Sequence, residues 1–191
     1  TFTVTVEDSS GPVITTPDNV TEEATAANGA TVDYGAATAE DAVDGAIAAG
    51  SITYDIATNT VFAIDTTTVT VTAVDATGNQ SQDTFTVTVS DNTGPTVTTS
   101  GNVTEEATSA NGAAVTYDAA SATDLVDGAF AAGDISYSHD SGDTFAIGAT
   151  VVTVSATDNA GNTTDETFTV TVEDSSGPVI TTPDNVTEEA T

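Results

Sequence analysis

Thr68-Val69-Thr70-Val71-Thr72 and Phe85-Thr86-Val87-Thr88-Val89 place an apolar residue at every second position with threonine between. That period of two belongs to a strand that buries one face and wets the other. Val and Thr are β-branched, which favours the extended backbone further. Segments of the same character run from Pro12 to Thr16, Ala30 to Tyr34, Ser51 to Ile56 and Val61 to Ile64. Asn28-Gly29, Asp44-Gly45 and Gly78-Asn79 between them are turn formers. No segment carries a 3.6-residue apolar stripe long enough for a helix.

The decisive strand also reveals the organisation. Thr-Phe-Thr-Val-Thr-Val stands at Thr1, Thr84 and Thr167, a period of 83 residues. Gly11-Pro12, Gly94-Pro95 and Gly177-Pro178 keep the same offset, as do the Val-Asp-Gly-Ala runs at Val43 and Val126. Residues 1–25 and 167–191 match at every position, whereas 84–108 departs from both, so neighbouring units alternate. The chain therefore reads as a window on a longer array. Residues 1–8 are expected to be the last strand of a preceding repeat, 9–91 and 92–174 two complete repeats, and 175–191 the first strand of a following one. About 80 residues in seven or so short strands have the size and rhythm of an immunoglobulin-like sandwich. The expected fold class is all-β, with tandem immunoglobulin-like β-sandwich domains. Tyr34, Tyr54, Phe62 and Phe85 recur at Tyr117, Tyr137, Phe145 and Phe168 on apolar strands and are read as core.

Composition narrows the partners. The 191 residues include 30 Asp plus Glu, one His and no Lys or Arg, for a formal net charge of −30. A chain without a basic patch cannot neutralise phosphates, which excludes nucleic acid, and it has no electrostatic attraction to an anionic membrane. No apolar run approaches the roughly 18 residues that span a bilayer. With no Cys and no Met there is no disulfide and no soft-metal site. Such a surface attracts hard cations.

The succession Asp-x-x-Gly-Pro, Asn-Val-Thr-Glu-Glu-Ala-Thr, Asp-x-Val-Asp-Gly-Ala, Phe-Ala-Ile and Val-Thr-Val-x-Ala-x-Asp-x-x-Gly-Asn closes on Thr-Phe-Thr-Val-Thr-Val. It resembles the hyalin repeat (HYR) family over both complete units and the two partial ones. The closing Asp…Gly-Asn…Phe-x-Val-x-Val segment is its most specific part. The resemblance implies an immunoglobulin-like sandwich in extracellular, adhesive or matrix proteins. Two departures stand out. Val71 and Val154 occupy a position where many members of the family carry cysteine. Ala63 and Ala146 replace the proline that often follows the family's phenylalanine.

The acids carry the functional reading. Asp8, Glu22, Glu23, Asp41, Asp44 and Asp75 recur as Asp91, Glu105, Glu106, Asp124, Asp127 and Asp158, while most other acids of the first period become neutral. Asp174 stands one further period beyond Asp91. In a sandwich of this topology the linker aspartate, the Asp41 and Asp44 loop and the Asp75 hairpin share one end. The two glutamates lie at the far end of the first strand, facing the next repeat. Glu22 and Glu23 are thus expected to approach Asp91, Asp124, Asp127 and Asp158, with Asn92 and Asn162 adding carbonyl oxygens. A set of hard oxygens suits Ca²⁺, which takes about 6–8 of them. The arrangement is similar in logic to cadherin junctions. The competing expectation is that these acids solvate loops and attract diffuse cations.

Catalysis finds no support in the inventory. His139 is the single imidazole and falls in a variable turn, and no Ser-His or Lys-based nucleophile can be assembled. Carboxylate pairs of the kind glycosidases use arise by chance among this many acids. Asn19, Asn79, Asn102, Asn162 and Asn185 stand in N-x-Ser/Thr sequons. The expected role is an extracellular structural array (stalk, fibre or filament) at a cell surface or in a matrix, rigidified by Ca²⁺ at junctions with neighbouring repeats as partners. The alternative is an adhesin whose loops contact glycan or protein, with Asp55 to Val61 against Ser138 to Thr144 as the divergent stretch.

Overall fold

In a computed structural model, residues 1–189 are described, and Ala190 and Thr191 of the segment assigned to a following repeat lie outside them. The first period carries β1 (Val13–Thr15), β2 (Val20–Glu23), β3 (Ala30–Val32), β4 (Thr38–Asp41), β5 (Gly45–Ala46), β6 (Ile52–Tyr54), β7 (Thr60–Phe62), β8 (Asp65–Val74) and β9 (Gln80–Ser90). The second carries β10 (Thr96–Thr98), β11 (Val103–Glu106), β12 (Ala113–Ala114), β13 (Ser121–Asp124), β14 (Gly128–Ala129), β15 (Ile135–Tyr137), β16 (Thr144–Phe145), β17 (Gly148–Thr157) and β18 (Thr163–Glu173). Single 3₁₀ turns precede β6 and β15. The fold is all-β, as the alternation predicts.

The described residues divide into two compact units. The first comprises residues 1–96 together with 123–130 and 157–163. The second holds residues 97–122, 131–156 and those from 164 onward.

In the first unit one sheet has the order β2-β9-β8-β6 and a second the order β1-β4-β5, with β3 and β7 as a separate pair. The long β8–β9 hairpin sets the core: Val69 pairs Phe85 and Val71 pairs Asp83. Val69, Val71 and Val87 are fully sealed, with Phe62, Phe85 and Tyr34 nearly so. Phe85 meets the Tyr34 ring edge-on at 4.9 Å, a favoured aromatic geometry. Tyr54 is half-buried, and its hydroxyl accepts a bond from the Ala37 N–H at 2.6 Å.

The first strand proves to be two. Val13–Thr15 runs antiparallel to β4, whereas Val20–Glu23 crosses to the other sheet and runs parallel to β9, with Glu23 opposite Ser90. Pro17, which cannot donate to a ladder, falls at the crossing. Asn19 bridges the gap by accepting the Thr86 N–H through Oδ1 at 2.9 Å. Gly29 closes the following turn with φ at +110°, and a Cβ there would lie 1.8 Å from the Phe62 carbonyl oxygen. Only glycine fits.

The second unit repeats these devices. Its larger sheet has the order β11-β18-β17-β15, with β11 parallel to β18. Val152, Val154 and Val170 are fully buried, and Phe168 packs edge-on to Tyr117 at 4.8 Å. Val71 and Val154 sit wholly inside, and their apolar burial stabilises the core of each unit.

Residues 1–8 repeat the sequence of β9 and residues 175–189 that of β1 and β2, yet neither forms a strand among the described residues. Phe2, Val4, Val6, Val179 and Ile180 remain exposed. A strand is defined by its partner, and none is paired with them here.

Candidate metal centre

Two trios of carboxylates converge. Asp8, Asp41 and Asp44 bring ligand atoms within 4.8 Å of one another, and so do Asp91, Asp124 and Asp127. All six belong to the first compact unit. Each trio pairs a linker aspartate with the two ends of a tight hairpin. In β4–β5 Asp41 stands opposite Gly45, and in β13–β14 Asp124 stands opposite Gly128. These glycines have φ of +72° and +80°, the left-handed conformation that lets the chain reverse so quickly. Asp41 Oδ1 accepts the N–H groups of Val43 at 2.7 Å and Asp44 at 3.1 Å. Asp124 Oδ1 does the same for Val126 at 2.7 Å and Asp127 at 3.0 Å. One oxygen of each hairpin aspartate therefore shapes its own loop.

The linker aspartates are differently placed. Asp91 is 9% exposed, and its Oδ2 is sealed from solvent with no hydrogen-bond partner. Asp8 Oδ2 is in the same condition. An unsatisfied buried polar atom costs about 1–3 kcal/mol, and more when charged. Burial pushes the Asp91 carboxyl up from its usual range; the Thr93 N–H opposes this, and the charges of Asp124, Asp158 and Glu23 add to it. Asp91 and Asp127 border a groove of about 490 Å³ walled by Ile64, Val89, Val126 and Ala160.

The remaining acids do other work. Asp75 stands outside the trios: Oδ1 accepts from Thr77 N, Thr77 Oγ1 and Asn79 N, and Oδ2 from Asn79 Nδ2 at 2.7 Å. Burial acts to raise its carboxyl, but these donors outweigh it and leave it below the usual range. Asp158 repeats the pattern, accepting from Asn162 N at 2.7 Å and Asn162 Nδ2 at 2.8 Å. The same amide groups reach the linker: Asn79 Nδ2 donates to the Asp8 carbonyl at 3.3 Å, and Asn162 Nδ2 to that of Asp91 at 3.2 Å. A second brace ties hairpin to hairpin, since Asp44 Oδ2 accepts Ala76 N at 2.9 Å and Asp127 Oδ2 accepts Asn159 N at 2.8 Å.

Strand phase separates the paired glutamates. Glu22 and Glu105 are exposed, while Glu23 and Glu106 are half-buried beside the linker. Glu23 accepts from Asn92 and Thr93, and Glu106 from Ser175 and Ser176. Asp174 is exposed at the end of β18. The sequence reading missed these braces because donors and acceptors lie 32 positions apart between the hairpins and about 70 apart at the linker.

The divergent stretch keeps its internal chemistry. Thr58 Oγ1 accepts the Tyr34 N–H at 3.0 Å and Ser141 Oγ accepts that of Tyr117 at 2.9 Å. Asp55 Oδ1 holds Thr70 N at 2.8 Å where Ser138 Oγ holds Thr153 N at 3.0 Å. His139 is exposed, with its ring 5.5 Å from that of Phe145.

Comparison with known proteins identifies the family. The HYR domain family model matches residues 7–89 and again 90–172. Hyalin of Strongylocentrotus purpuratus is 34% identical over 179 residues, covering 90% of this chain, which spans 14% of that relative's length. Among solved structures, the protocadherin GammaB4 extracellular domain is similar over 85% of this chain and 32% of its own, with 14% identity and a TM-score of 0.36. Mouse Cadherin-23 EC22-24 is similar over 86% and 65%, with 16% identity and a TM-score of 0.31. No helix among the described residues is long and apolar enough to cross a membrane. With two adjacent family matches and a relative at this identity, the chain belongs to the HYR domain family, an extracellular repeat-type domain present here as two tandem copies.

Proposed function

We propose that the chain is a non-catalytic segment of an extracellular structural array, a stalk, fibre or filament, whose inter-domain junctions are rigidified by calcium. One observation carries the reading: in both copies the linker aspartate keeps a sealed Oδ2 without a partner, beside two further carboxylates. A single such atom is a local defect. Its recurrence one period on, while other acids drift to neutral residues, points to a ligand common to both.

The donor chemistry selects the ion. Every group is a hard oxygen, and no Lys or Arg exists to neutralise it. Ca²⁺ takes about 6–8 oxygens at about 2.3–2.6 Å in flexible geometry, whereas Mg²⁺ demands a near-ideal octahedron and sheds water reluctantly. Asp8, Asp41 and Asp44 would hold one ion, and Asp91, Asp124 and Asp127 another. Bound calcium supplies the positive charge that lets three carboxylates stay ionised together. The protein's part is to present them already gathered: Asn162 grips the Asp91 carbonyl, Gly128 turns the hairpin, and Asp127 ties that hairpin to Asn159. The linker prolines Pro12 and Pro95 add a restricted φ.

The variable stretch also supports a structural role. At two of its positions the changed residues make the same internal hydrogen bonds in each copy, Asp55 and Ser138 to a strand N–H and Thr58 and Ser141 to a tyrosine N–H. The partners are then the neighbouring repeats of the same chain or filament, at a cell surface or in a matrix.

Thermal unfolding of the chain in EDTA, then with millimolar Ca²⁺, Mg²⁺ or NaCl of matched ionic strength, tests the reading. A large upward shift with Ca²⁺ alone is the expected result. Equal shifts in all three salts would mean screening and would refute a built site.

A further inference from the structure

The two trios leave Glu23 and Glu106 without a place among the converging ligand atoms, although the sequence groups them with the other recurrent acids. What these glutamates touch is the linker. Glu23 Oε1 accepts the Asn92 N–H at 2.8 Å and the Thr93 hydroxyl at 2.8 Å, while Oε2 accepts Asn92 Nδ2 at 2.9 Å. Glu106 Oε1 accepts the N–H groups of Ser175 and Ser176, each at 2.9 Å, and Oε2 accepts the Ser175 hydroxyl at 2.6 Å. Each carboxylate thus takes three donors from the two residues that follow a linker aspartate. Asn-Thr has become Ser-Ser between the copies, yet the number of donors is kept.

The ladder explains why a clamp belongs there. β2 runs parallel to β9 only as far as Glu23 opposite Ser90, and the Ala24 N–H to the Ser90 carbonyl at 2.9 Å is the last backbone bond of that edge. β11 ends likewise at Glu106 opposite Glu173, with Ala107 N donating to the Glu173 carbonyl at 2.7 Å. Asp91 is the next residue after the ladder, and its Oδ1 accepts the Thr93 N–H at 3.3 Å. Its carbonyl is gripped by Asn162 on one side, and the two residues beyond it are gripped by Glu23 on the other.

Resting on the calcium reading, we infer that Glu23 and Glu106 are positioning residues: each clamps the two residues after a linker aspartate and so fixes where that aspartate presents its carboxylate, without itself being a ligand. The recurrent acids then divide by task. Asp8, Asp41, Asp44, Asp91, Asp124 and Asp127 are ligands, whereas Glu23 and Glu106 set the linker, and Asp75 and Asp158 set the asparagines that hold its carbonyls.

Terbium, a luminescent substitute for calcium, separates a clamp from a ligand because its lifetimes in H₂O and D₂O count bound waters. The measurement uses the 191-residue chain with Asp41→Asn and Asp44→Asn, so that the Asp91 trio alone reports. Glu23→Gln retains an amide oxygen for Asn92 N and Thr93 Oγ1. It is expected to leave the hydration number unchanged and the affinity within about threefold. Glu23→Ala is expected to weaken binding about tenfold, the usual scale for residues that orient ligands. Asp124→Asn, a ligand change, is expected to add a bound water or abolish binding. Amide exchange in EDTA gives a reading free of metal: Asn92 should exchange about tenfold faster in Glu23→Ala and at the wild-type rate in Glu23→Gln. A hydration number raised by one in Glu23→Gln would make Glu23 a ligand and overturn the inference alone. Unchanged exchange and affinity in Glu23→Ala would also overturn it. No terbium binding before any Glu23 change, with none by the unaltered chain either, would overturn the calcium reading and this inference with it.

Discussion

Asp124→Asn should change the sign of its effect with calcium. The substitution is isosteric, and an asparagine Oδ1 still accepts the Val126 and Asp127 N–H groups that Asp124 holds at 2.7 and 3.0 Å. The loop is therefore preserved and only the charge is removed. With carboxylate oxygens within 4.8 Å of one another, each like-charged pair repels by about 1 kcal/mol at the dielectric of water and about 3 kcal/mol at an effective value of 20. Asp124 takes part in two of the three pairs of its trio. Asp124 is half-exposed, so solvent screening puts the gain at the low end, about 1–2 kcal/mol in EDTA. For a domain of this size that corresponds to a rise in Tm of about 5 °C or more. Calcium at about a hundred times its Kd stabilises the wild type by about 3 kcal/mol per site, and the variant forfeits that gain at this trio. Differential scanning calorimetry should therefore rank the variant above the wild type in EDTA and below it in calcium. A variant that is less stable in both media by the same amount would show that Asp124 acts only as a turn acceptor, and the argument from repulsion would fail.

Three further outcomes test the fold around the trios. Gly29→Ala and Gly112→Ala place a Cβ 1.8 Å from the carbonyl oxygen of Phe62 and Phe145 respectively, at φ of +110° and +105°; left-handed strain alone costs about 1–2 kcal/mol, so urea midpoints should fall by more than that amount implies. Phe85→Ala empties a site only 3% exposed against Tyr34, and chemical denaturation should show a loss of about 3–5 kcal/mol. Acid titration in EDTA should reveal opposing limbs. Hydrogen bonds from Ser175 and Ser176 hold the Glu106 carboxyl below its usual range, so its contribution is present above the unfolded pKa and lost as pH falls through the folded one. Glu106→Gln should flatten that loss. Asp91 runs the other way: its carboxyl is pushed up, chiefly by burial, so its contribution is present at low pH and is lost as pH rises through the raised pKa. Asp91→Asn should remove this part of the profile.

The all-β class, the 83-residue period and most of the core were legible in the residue order, because these depend on short-range pattern. Val69, Val71, Val87 and Phe85 alternate with threonine, and their burial follows from a strand's period of two. The net charge of −30 was equally plain, since charge is additive and needs no fold. The break of the first strand near Pro17 and the short β4 of Thr-Ala-Glu-Asp were harder to read, because the second has no apolar alternation and pairs only through its neighbours β1 and β5. The different surroundings of the acids came only with the folded chain. Glu22 and Glu23 are adjacent in sequence and equivalent in charge, yet the register that sets Glu23 beside Ser90 turns one to the linker and the other to solvent. Asp75 and Asp44 look alike as turn acids, but one spends its oxygens on Thr77 and Asn79 while the other joins a trio. Above all, the sealed oxygens of Asp8 and Asp91 exist only once hairpins more than 30 residues distant have closed over them. Burial and hydrogen-bond satisfaction are properties of neighbours in space, and no local pattern encodes which neighbours those will be.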